Sequence, residues 1–561
     1  MTSLALHPGL VLIIAALLLA PLRGAARASV ALAAPLAALY LAWQMPDGAV
    51  ASVRFLDFEL VPLAGDKLSR LFAAIFAIMA FGGALFALNQ KRPLELAAAL
   101  LYAGAAIGVA LAGDLITLFV FWELMAIGST LVIWSAESRS TYRAGVRYLM
   151  IHLLGGVLLM AGIAGHVADT GSIAFQRLAA DSVAHWLILA GFLLNAGAPP
   201  LSAWLPDAYP EASWSGMVFL SAFTTKTAVY VLLRGFPGTE ILVYVGLFMV
   251  FYGIVYALLE NDMRRILAYS IVNQVGFMVT GVGLGTEMAL NGAASHAFTH
   301  IIYKALLLMS AGSVLLMTGK RKCTDLGGLF QSMPLTAWCG IIGALSISSF
   351  PLTSGFVSKS MISQAAADSH LLAVWLLLAA ASAGVFLHAG IKFPWFVFFQ
   401  KDSGLRPPDP PLNMRLAMLL FAALCIGLGV YPDPLYAALP YPVQFVPYTG
   451  AHVVTQLQLL LFSGLAFFVL LDLLRRTLTI TLDLDWFYRV LAWRATRGVL
   501  NGLSTLGRAA GEAARRMAAR AWNGLYRFHG PQGTLARTWP TGTMALWVVI
   551  LLLAYLLFYY L

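Results

Sequence analysis

Apolar stretches long enough to cross a lipid bilayer follow one another along most of this 561-residue chain. Sixty per cent of its residues are hydrophobic and only 11% are charged, whereas soluble domains carry about 25% charged residues. A soluble multidomain enzyme is therefore excluded. Because a membrane-spanning helix needs about 20 predominantly apolar residues, the runs predict an all-α polytopic membrane protein. About 16 transmembrane helices are expected, at about 9–22, 28–43, 68–88, 94–112, 114–134, 147–167, 184–205, 216–234, 240–259, 265–283, 289–317, 335–365, 371–399, 413–431, 456–474 and 543–561.

The loops between these runs alternate in charge. Cationic loops of membrane proteins face the cytoplasm, and an outside N-terminus puts nearly every Lys and Arg of the loops on the inside. The number of spans and their orientation therefore support each other, and we expect a bacterial plasma (inner) membrane protein. The inside loops carry Arg23, Arg27, Lys91, Arg92, Arg139, Arg143, Arg147, Arg264, Arg265, Lys320 to Lys322, Lys401 and Arg406.

The positive charge of the chain is concentrated near its C-terminus. Eleven Arg lie from Arg475 to Arg537 against only Asp483, Asp485 and Glu512, which supplies eight of the ten net positive charges. Local basicity points to a membrane face and anionic lipid rather than to nucleic acid. Apolar residues recur at helical spacing from Trp486 to Phe528, as in an interfacial helix. Four glycines weaken that helix, so it could be broken: Gly498, Gly502, Gly507 and Gly511.

The start of the chain could be read as a signal peptide, because Ala26-Arg27-Ala28 resembles a cleavage site. The first apolar run lacks a charged segment before it, and its removal would invert every later loop. We therefore expect it to be a retained helix. No cofactor is expected either, because Cys323, Cys339 and Cys425 have neither CxxC spacing nor a polar setting, and no nucleotide-binding motif occurs.

Two apolar runs are interrupted by Pro and Gly in related ways. The first contains Pro199, Pro200 and Pro206, and the second contains Pro351 and Gly355. Broken helices in corresponding positions of two halves indicate a transport path, although two ordinary proline kinks are the alternative.

The two halves would be inverted repeats, because five helices per half invert the second half relative to the first. The predicted parts are N-terminal helices 1–93, inverted repeats 94–234 and 240–399, C-terminal helices 413–474, a basic interfacial segment 475–542 and a last transmembrane helix 543–561.

Several titratable groups fall inside the apolar runs, where a charge costs about 2.5 to 3.5 kcal/mol on insertion scales. One structural ion pair would explain a single such group, but not a series with only one central carboxylate. A row of groups whose pKa values burial brings toward neutrality is what a proton relay requires. His296, His300 and Lys304 also share one helix face. A metal site there is disfavoured, because no carboxylate or Cys lies at ligand spacing. The candidates are Glu123, Lys226, His296, His300, Lys304, Lys359 and Lys392.

These residues resemble the antiporter-like subunit family shared by Mrp-type cation/proton antiporters and the proton-pumping subunits of respiratory complex I. The likeness covers about 60–400 and is carried by several motifs in one order. Two stretches, FLSAFTTKTAVY and TLDLDWFYR (481–489), are most similar to the D subunit of Mrp antiporters. The motifs are FVFWELMAIGSTLVIW (119–134), PPLSAWLPDAYPEAS (199–213), FLSAFTTKTAVYVLLRGFPG (219–238), NDMRRILAYSIVNQVGFM (261–278), SHAFTHIIYKALLLMSAGSVL (295–315) and SSFPLTSGFVSKSMI (348–362).

The resemblance implies roles for single residues. Glu123 matches the essential membrane glutamate, Lys226 the lysine after the first broken helix, Lys304 with His300 the central relay, and Lys359 the charged group on the second broken helix. The family usually has a lysine nine residues before the tryptophan of the WLPD motif, and this chain has Asn195 there. Either Lys226 or water then partners Glu123, or the first half-channel is altered or silent.

These observations predict an ion-translocating subunit, not itself an enzyme, of a Na+ or K+/H+ antiporter. It would assemble with other membrane subunits, protons and monovalent cations would be its cargo, and no metal would be held. The alternative is a proton-pumping subunit of a complex I-like or hydrogenase-like redox complex. A structural subunit with a dead channel is a third reading, which Asn195 keeps open. The sequence leaves the coupled ion and the stoichiometry open.

Overall fold

The computed structural model describes residues 6–472 and 482–561, which form two compact units, Met1–Asp485 and Trp486–Leu561. Arg475, Arg476 and Thr481, which belong to the predicted basic segment and the TLDLDWFYR motif, lie outside the described residues. The helices of the first unit are α1 Pro8–Leu19, α2 Gly24–Trp43, α3 Lys67–Phe86, α4 Pro93–Leu111, α5 Leu115–Trp134, α6 Arg139–Thr170, α7 Val183–Ala196, α8 Trp204–Ala208, α9 Gly216–Leu220, α10 Thr224–Gly235, α11 Ile241–Leu259, α12 Met263–Leu284, α13 Glu287–Thr318, α14 Pro334–Ile347, α15 Ser354–Asp368, α16 Leu372–Val385, α17 Leu412–Val430, α18 Asp433–Ala437 and α19 Gly450–Val469. The second unit contains α20 Trp493–His529 and α21 Thr541–Tyr560.

The described helices agree with a polytopic membrane protein. Thirteen spans in the described residues are long and apolar enough to cross a membrane, and three of these combine consecutive helical elements. Three shorter apolar helices, α1, α7 and α14, overlap three more of the predicted runs. The predicted fold class is confirmed, while the count of 16 and the inverted repeats stay predictions.

The two predicted repeats follow the same order of elements. The third helix of each, α6 and α13, has 32 residues. The fourth span of each is interrupted, after α7 in one and between α14 and α15 in the other. This shared order is what the duplication hypothesis predicts for two halves of one bundle.

The first interruption follows α7 directly. Gly197, with φ 83°, ends the helix, and the cis Pro199-Pro200 peptide lies in the irregular stretch before α8. Proline lacks the amide hydrogen that a helix interior needs, so two successive prolines keep the chain non-helical here. Trp204 donates from Nε1 to the Leu194 carbonyl (3.0 Å), which ties α8 back onto α7.

The second interruption separates α14 from α15. Residues 348–353 are not helical, and Pro351 lies among them. At Gly355 a Cβ atom would lie 1.8 Å from the Ser346 carbonyl oxygen, so only glycine permits this close approach. Both predicted broken segments are therefore interrupted helices rather than continuous kinked ones.

A β-hairpin between α2 and α3 is an element that the sequence analysis missed. Strands β1 Gly48–Phe55 and β2 Phe58–Gly65 pair antiparallel around a turn at Leu56 and Asp57. Val53 and Val61 are residues of high β-propensity, but the segment is short and lies between two apolar runs.

The second unit carries the basic helix. α20 is continuous over 37 residues, so a break at Gly498, Gly502, Gly507 and Gly511 is wrong. Each glycine costs about 1 kcal/mol relative to alanine in a helix interior, which the many alanine and arginine residues around them offset. No residue of α20 or α21 is buried.

Candidate functional site

Glu123 lies on α5 against the glycine pair of α6. Its side chain is half-buried, and Oε1 is buried without a hydrogen-bond partner among the described residues. A Cβ on Gly156 would lie 2.0 Å from that oxygen, so the carboxylate packs in the space that the missing side chain of Gly156 leaves on α6. The only predicted membrane carboxylate therefore sits at a helix interface and forms no ion pair within the described chain.

Asn195, in the last turn of α7, lies on the other side of the same glycine pair. It is fully buried, and neither side-chain polar atom has a protein partner among the described residues. A Cβ on Gly155 would lie 3.6 Å from Asn195 Oδ1. Because a buried amide without a partner is costly unless water satisfies it, Asn195 favours a hydrated connection here rather than a direct Glu–Lys pair.

Lys226 follows a helix interruption that the sequence analysis did not find. Helix α9 ends at Leu220, and α10 begins at Thr224. The fully buried Lys226 Nζ donates to the Ser221 carbonyl (2.6 Å) and to Thr225 Oγ1 (3.1 Å). No Pro or Gly occupies residues 221–223, so no strong signal marks this interruption. The lysine is satisfied by the backbone that the interruption frees.

Three titratable side chains of the first repeat, Tyr102, Tyr148 and His152, extend this polar interior and were also missed. Tyr102 OH and Thr224 Oγ1 are 2.6 Å apart, and Tyr148 donates to Ser129 Oγ (2.9 Å). The His152 ring stacks on Tyr148 with centroids 3.9 Å apart, and its Nε2 has no partner among the described residues. His152 precedes the Gly155–Gly156 pair by one helical turn, so it is a further titratable group near Glu123. Its position inside an apolar run was the available signal.

The second repeat holds a file of three buried titratable side chains along α13. His296, His300 and Lys304 are all fully buried there. His296 contacts Gln274 Oε1 of α12 (3.1 Å) and Ser358 Oγ of α15 (3.3 Å). Lys304 Nζ donates to Ser270 Oγ of α12 (2.8 Å). The predicted shared face of α13 thus faces two other helices of the same half.

His300 occupies the middle of this file, between His296 and Lys304 in sequence. Both of its ring nitrogens are buried without a partner among the described residues. Its ring centroid lies 6.2 Å from that of His296 and 5.2 Å from that of Tyr303. A buried imidazole with both nitrogens unsatisfied can accept a proton or bind water, as an intermediate relay group must.

Lys359 lies on α15, just beyond the second interruption. Its Nζ donates to the Ile347 carbonyl at the end of α14 (3.4 Å) and lies 5.0 Å from the centroid of the Phe277 ring. The lysine is therefore held by a carbonyl freed where the helix breaks and by an aromatic face. Lys226 and Lys359 each bond a carbonyl freed at a helix interruption, one in each repeat.

Lys392 differs from the other candidates. It ends a π-helical turn, Phe386–Lys392, that continues α16. Its Nζ donates to the carbonyls of Ala257 (3.2 Å), Leu258 and Glu260 (2.6 Å) at the end of α11. An ammonium at the C-terminus of a helix satisfies carbonyls that have no partner within the helix, and it interacts favourably with the negative end of the helix dipole. This geometry therefore fits helix capping at least as well as proton transfer.

The same end of α11 is linked to the tail motif by three tyrosines, Tyr252, Tyr256 and Tyr269, which we name the tyrosine clasp. Tyr252 donates to Asp483 Oδ1 (2.7 Å), and Tyr269 donates to Asp483 Oδ2. Tyr256 donates to the Leu482 carbonyl (3.0 Å). The clasp anchors residues 482 and 483 on α11 and α12, which no local sequence pattern could reveal.

The clasp is connected to the Lys392 cap through two charged residues. Arg265 Nη2 lies 3.4 Å from Tyr269 OH, and Arg265 Nε pairs with Glu260 Oε2 at 2.8 Å. Glu260 in turn supplies one of the carbonyls that Lys392 binds. No group of three or more His, Cys, Asp or Glu side chains in the described ranges is placed to hold a metal ion.

Comparisons with known proteins bear on this arrangement. Residues 112–386 match the family model described as NADH:quinone oxidoreductase/Mrp antiporter, transmembrane. The chain is 31% identical over 352 residues to the D subunit of the Na(+)/H(+) antiporter of Alkalihalophilus pseudofirmus, an alignment that covers 59% of this chain and 71% of that protein.

Two solved structures share the fold. A chain of the Mrp complex from Dietzia sp. DQ12-45-1b aligns with a TM-score of 0.79 at 24% identity, covering 92% of this chain and 62% of that one. A chain of the membrane-bound sulfane sulfur reductase, an archaeal respiratory membrane complex, aligns with a TM-score of 0.72 at 23% identity, covering 98% of this chain and 99% of that one. The predicted resemblance is confirmed: this chain belongs to the NADH:quinone oxidoreductase/Mrp antiporter transmembrane family.

Proposed function

We propose that this chain is an ion- and proton-translocating membrane subunit of a multisubunit antiporter that exchanges Na+ or K+ for protons. Its 31% identity to the D subunit of a Na(+)/H(+) antiporter, over 71% of that protein, supports the antiporter reading. Its role is transport rather than catalysis. We propose that it resides in a bacterial plasma membrane, with the Arg- and Lys-rich loops in the cytoplasm.

The observation that carries the proposal is the series of buried titratable groups in the membrane. Lys226, Lys304 and Lys359 are each at most 2% exposed, and each is bonded only to uncharged oxygen atoms in the contacts described above. Burying a lysine without a carboxylate brings its neutral form within reach. Groups that can hold or release a proton are costly in a bundle that only needs stability, so their number favours a relay.

Within the relay, the chemistry of each group differs. Glu123 is the only acid among the candidates and would load or release protons at the first repeat. His300 would pass protons between the Lys226 side and Lys304, because each of its ring nitrogens can donate or accept. Asn195 cannot change charge, so water bonded to its amide would carry the proton past it to or from Glu123. One carboxylate does not make a sodium cage, which would need several oxygen ligands.

The proposed partners follow from the same features. The two aligned structures come from multisubunit membrane complexes, and we propose that this chain likewise assembles with other membrane subunits. The arginines of α20 would dock on anionic lipid, since each basic residue near a membrane surface contributes about 1 kcal/mol.

The test is cation-dependent proton movement in everted vesicles that contain the complete complex. Addition of Na+ or K+ should collapse a preformed pH gradient, and vesicles with the Glu123→Gln complex should not respond. Vesicles with the wild-type complex that respond to neither cation, although the complex is assembled, would refute the antiporter proposal.

A redox-driven proton pump is the second candidate, and one observation favours it. The sulfane sulfur reductase chain matches this chain over nearly its full length, including the unit that contains α20 and α21. Copurification separates the two candidates. Small membrane subunits alone support the antiporter, whereas a flavin or iron–sulfur arm in the purified complex supports the redox pump.

A further inference from the structure

A cavity of about 770 Å³ opens at the predicted cytoplasmic face, away from the buried titratable groups. It lies where α3 and α13 end and where α4 and α17 begin. Its lining contains three cationic side chains, Lys91, Arg92 and Arg415, beside the ring of Trp214. Leu316 and Met317 form an apolar part of the wall. A cavity with this lining suits a ligand that has an anionic group and an apolar portion.

The cations differ in how far the protein already satisfies them. Arg415 Nε is buried without a hydrogen-bond partner among the described residues. Lys91 is exposed and forms no ion pair with any residue in the described ranges. Arg92 is partly engaged, through the Ser135 carbonyl (2.6 Å) and Glu137 (3.3 Å). An unsatisfied buried guanidinium nitrogen requires an acceptor, so Arg415 marks the place for the anion.

Two helix N-termini add to the positive potential of the cavity. Arg92 and Pro411, the N-cap residues of α4 and α17, both line it. Neither N-cap side chain bonds a first-turn amide. Uncapped N-terminal amides and the positive end of the helix dipole favour phosphate-like anions. Two such ends and three cations therefore converge on one space.

The acidic residues near the cavity are already engaged. Asp409 accepts from the Thr336 amide (3.0 Å) and the Leu335 amide (3.2 Å) at the start of α14. Glu95, fully buried, accepts from Ser215 Oγ and from Gln90 Nε2 (3.1 Å). Both carboxylates are held by these neutral donors, and Arg92 is engaged by Glu137, which leaves Lys91 and Arg415 to face a ligand.

We propose that this cavity is a binding site for a phosphate group, with Arg415 and Lys91 as its principal ligands. The group is carried either by an anionic phospholipid, whose acyl chain would follow Leu316 and Met317, or by a free phosphate compound of the cytoplasm. The site does not depend on the proposed transport function, since none of its residues belongs to the relay.

The experiment uses the full chain in its purified, delipidated complex, as wild type, Arg415→Gln, Lys91→Gln and Arg143→Gln. Arg143 is an exposed arginine of the same predicted face that does not line the cavity, so it controls for loss of one positive charge. Three probes are added separately: short-chain phosphatidylglycerol, short-chain phosphatidylcholine and radiolabelled inorganic phosphate. Native mass spectrometry counts bound lipid, and equilibrium dialysis measures bound phosphate.

We expect one phosphatidylglycerol per chain, bound about tenfold more weakly in Arg415→Gln and Lys91→Gln, because each loses a charge-assisted hydrogen bond. Arg143→Gln should bind as wild type, and phosphatidylcholine should bind weakly throughout. Arg415-dependent binding of inorganic phosphate without lipid retention would also support the site and assign the free compound. If Arg415→Gln and Lys91→Gln bind each probe as well as Arg143→Gln does, the proposal is overturned.

Discussion

The two repeats hold their buried polar groups in different ways. In the second, His296, Lys304 and Lys359 are bonded to α12, α14 and α15, and only His300 lacks partners in its file. In the first, three side chains lie near the α6 glycine pair: Glu123, Asn195 and His152. Each has at least one buried polar atom without a hydrogen-bond partner among the described residues. The second repeat needs water to connect His300, whereas the first needs water at several steps.

The difference follows from one position. A lysine in place of Asn195 would face Glu123 across Gly155 and Gly156 and could form an ion pair. Asparagine leaves the carboxylate without a cation, and the nearest buried lysine of this repeat, Lys226, is bonded to Ser221 and Thr225. The first repeat thus keeps the acid of the relay but gives it no lysine partner.

Replacement of Glu123 by Gln should have the largest effect. Gln keeps the shape but cannot ionise, and transport should fall on the order of 100-fold, a typical contribution of a proton-transfer group. The measurement is the cation-dependent pH change in everted vesicles, normalised to assembled complex. Glu240→Gln, at the start of α11, is the matched control and should retain wild-type transport. Normal transport by Glu123→Gln would mean that the first repeat carries no protons.

The second repeat is tested by Lys304→Ala and Lys359→Ala, compared with Asn195→Ala. Each lysine variant loses a proton carrier, so we expect transport to drop by about tenfold or more, whereas Asn195→Ala should cost less than about twofold. The same vesicle assay gives all three rates. If Asn195→Ala is the most damaging, the water-mediated route of the first repeat limits transport and the comparison above must be reversed.

The sequence predicted the parts of the molecule whose signals are local. Long apolar runs predicted spans, prolines predicted the interruptions after α7 and α14 but not the one before Lys226, and buried charges predicted the candidates. Each signal reflects the cost of a polar group in lipid. Contacts between distant segments could not be predicted. Nothing near Lys392 indicates that it meets the end of α11, and nothing in the tail motif indicates that Asp483 meets Tyr252 and Tyr269. Gln274 and Ser358 were missed for the same reason.

Removing the hydrogen bonds of the tyrosine clasp should have a smaller effect on transport, because the clasp supports the structure and contains no relay group. Tyr252→Phe with Tyr269→Phe leaves Asp483 without two donors, and each hydrogen bond to a charged group contributes about 1.5 to 3 kcal/mol. The yield of assembled complex should fall several-fold while transport per complex stays near wild type. Complex is quantified by gel filtration in detergent. Tyr244→Phe, on the exposed side of α11, is the control.

Two truncated chains test whether the clasp or the rest of the tail supports assembly of the complex. A chain that ends after Asp485 keeps the clasp, and a chain that ends before Asp483 loses it. If both assemble equally and poorly, the basic helix α20 rather than the clasp determines assembly. If assembly is full and transport is lost in either, the tail couples the two repeats, and the redox-pump reading gains support.

Lys392→Met should have the smallest effect on transport, although the sequence places Lys392 in the relay. Its three carbonyl partners at the end of α11 make it a helix cap, and Met fills a similar volume without donating. The unfolding temperature of the complex should fall, since a buried acceptor left unsatisfied costs about 1 to 3 kcal/mol. Transport per assembled complex should change by less than about twofold, because a cap need not exchange protons.

Lys320→Met, at an exposed loop position, controls for the loss of charge. A collapse of transport with an unchanged unfolding temperature would instead make Lys392 a relay group and extend the file of the second repeat to the end of α11.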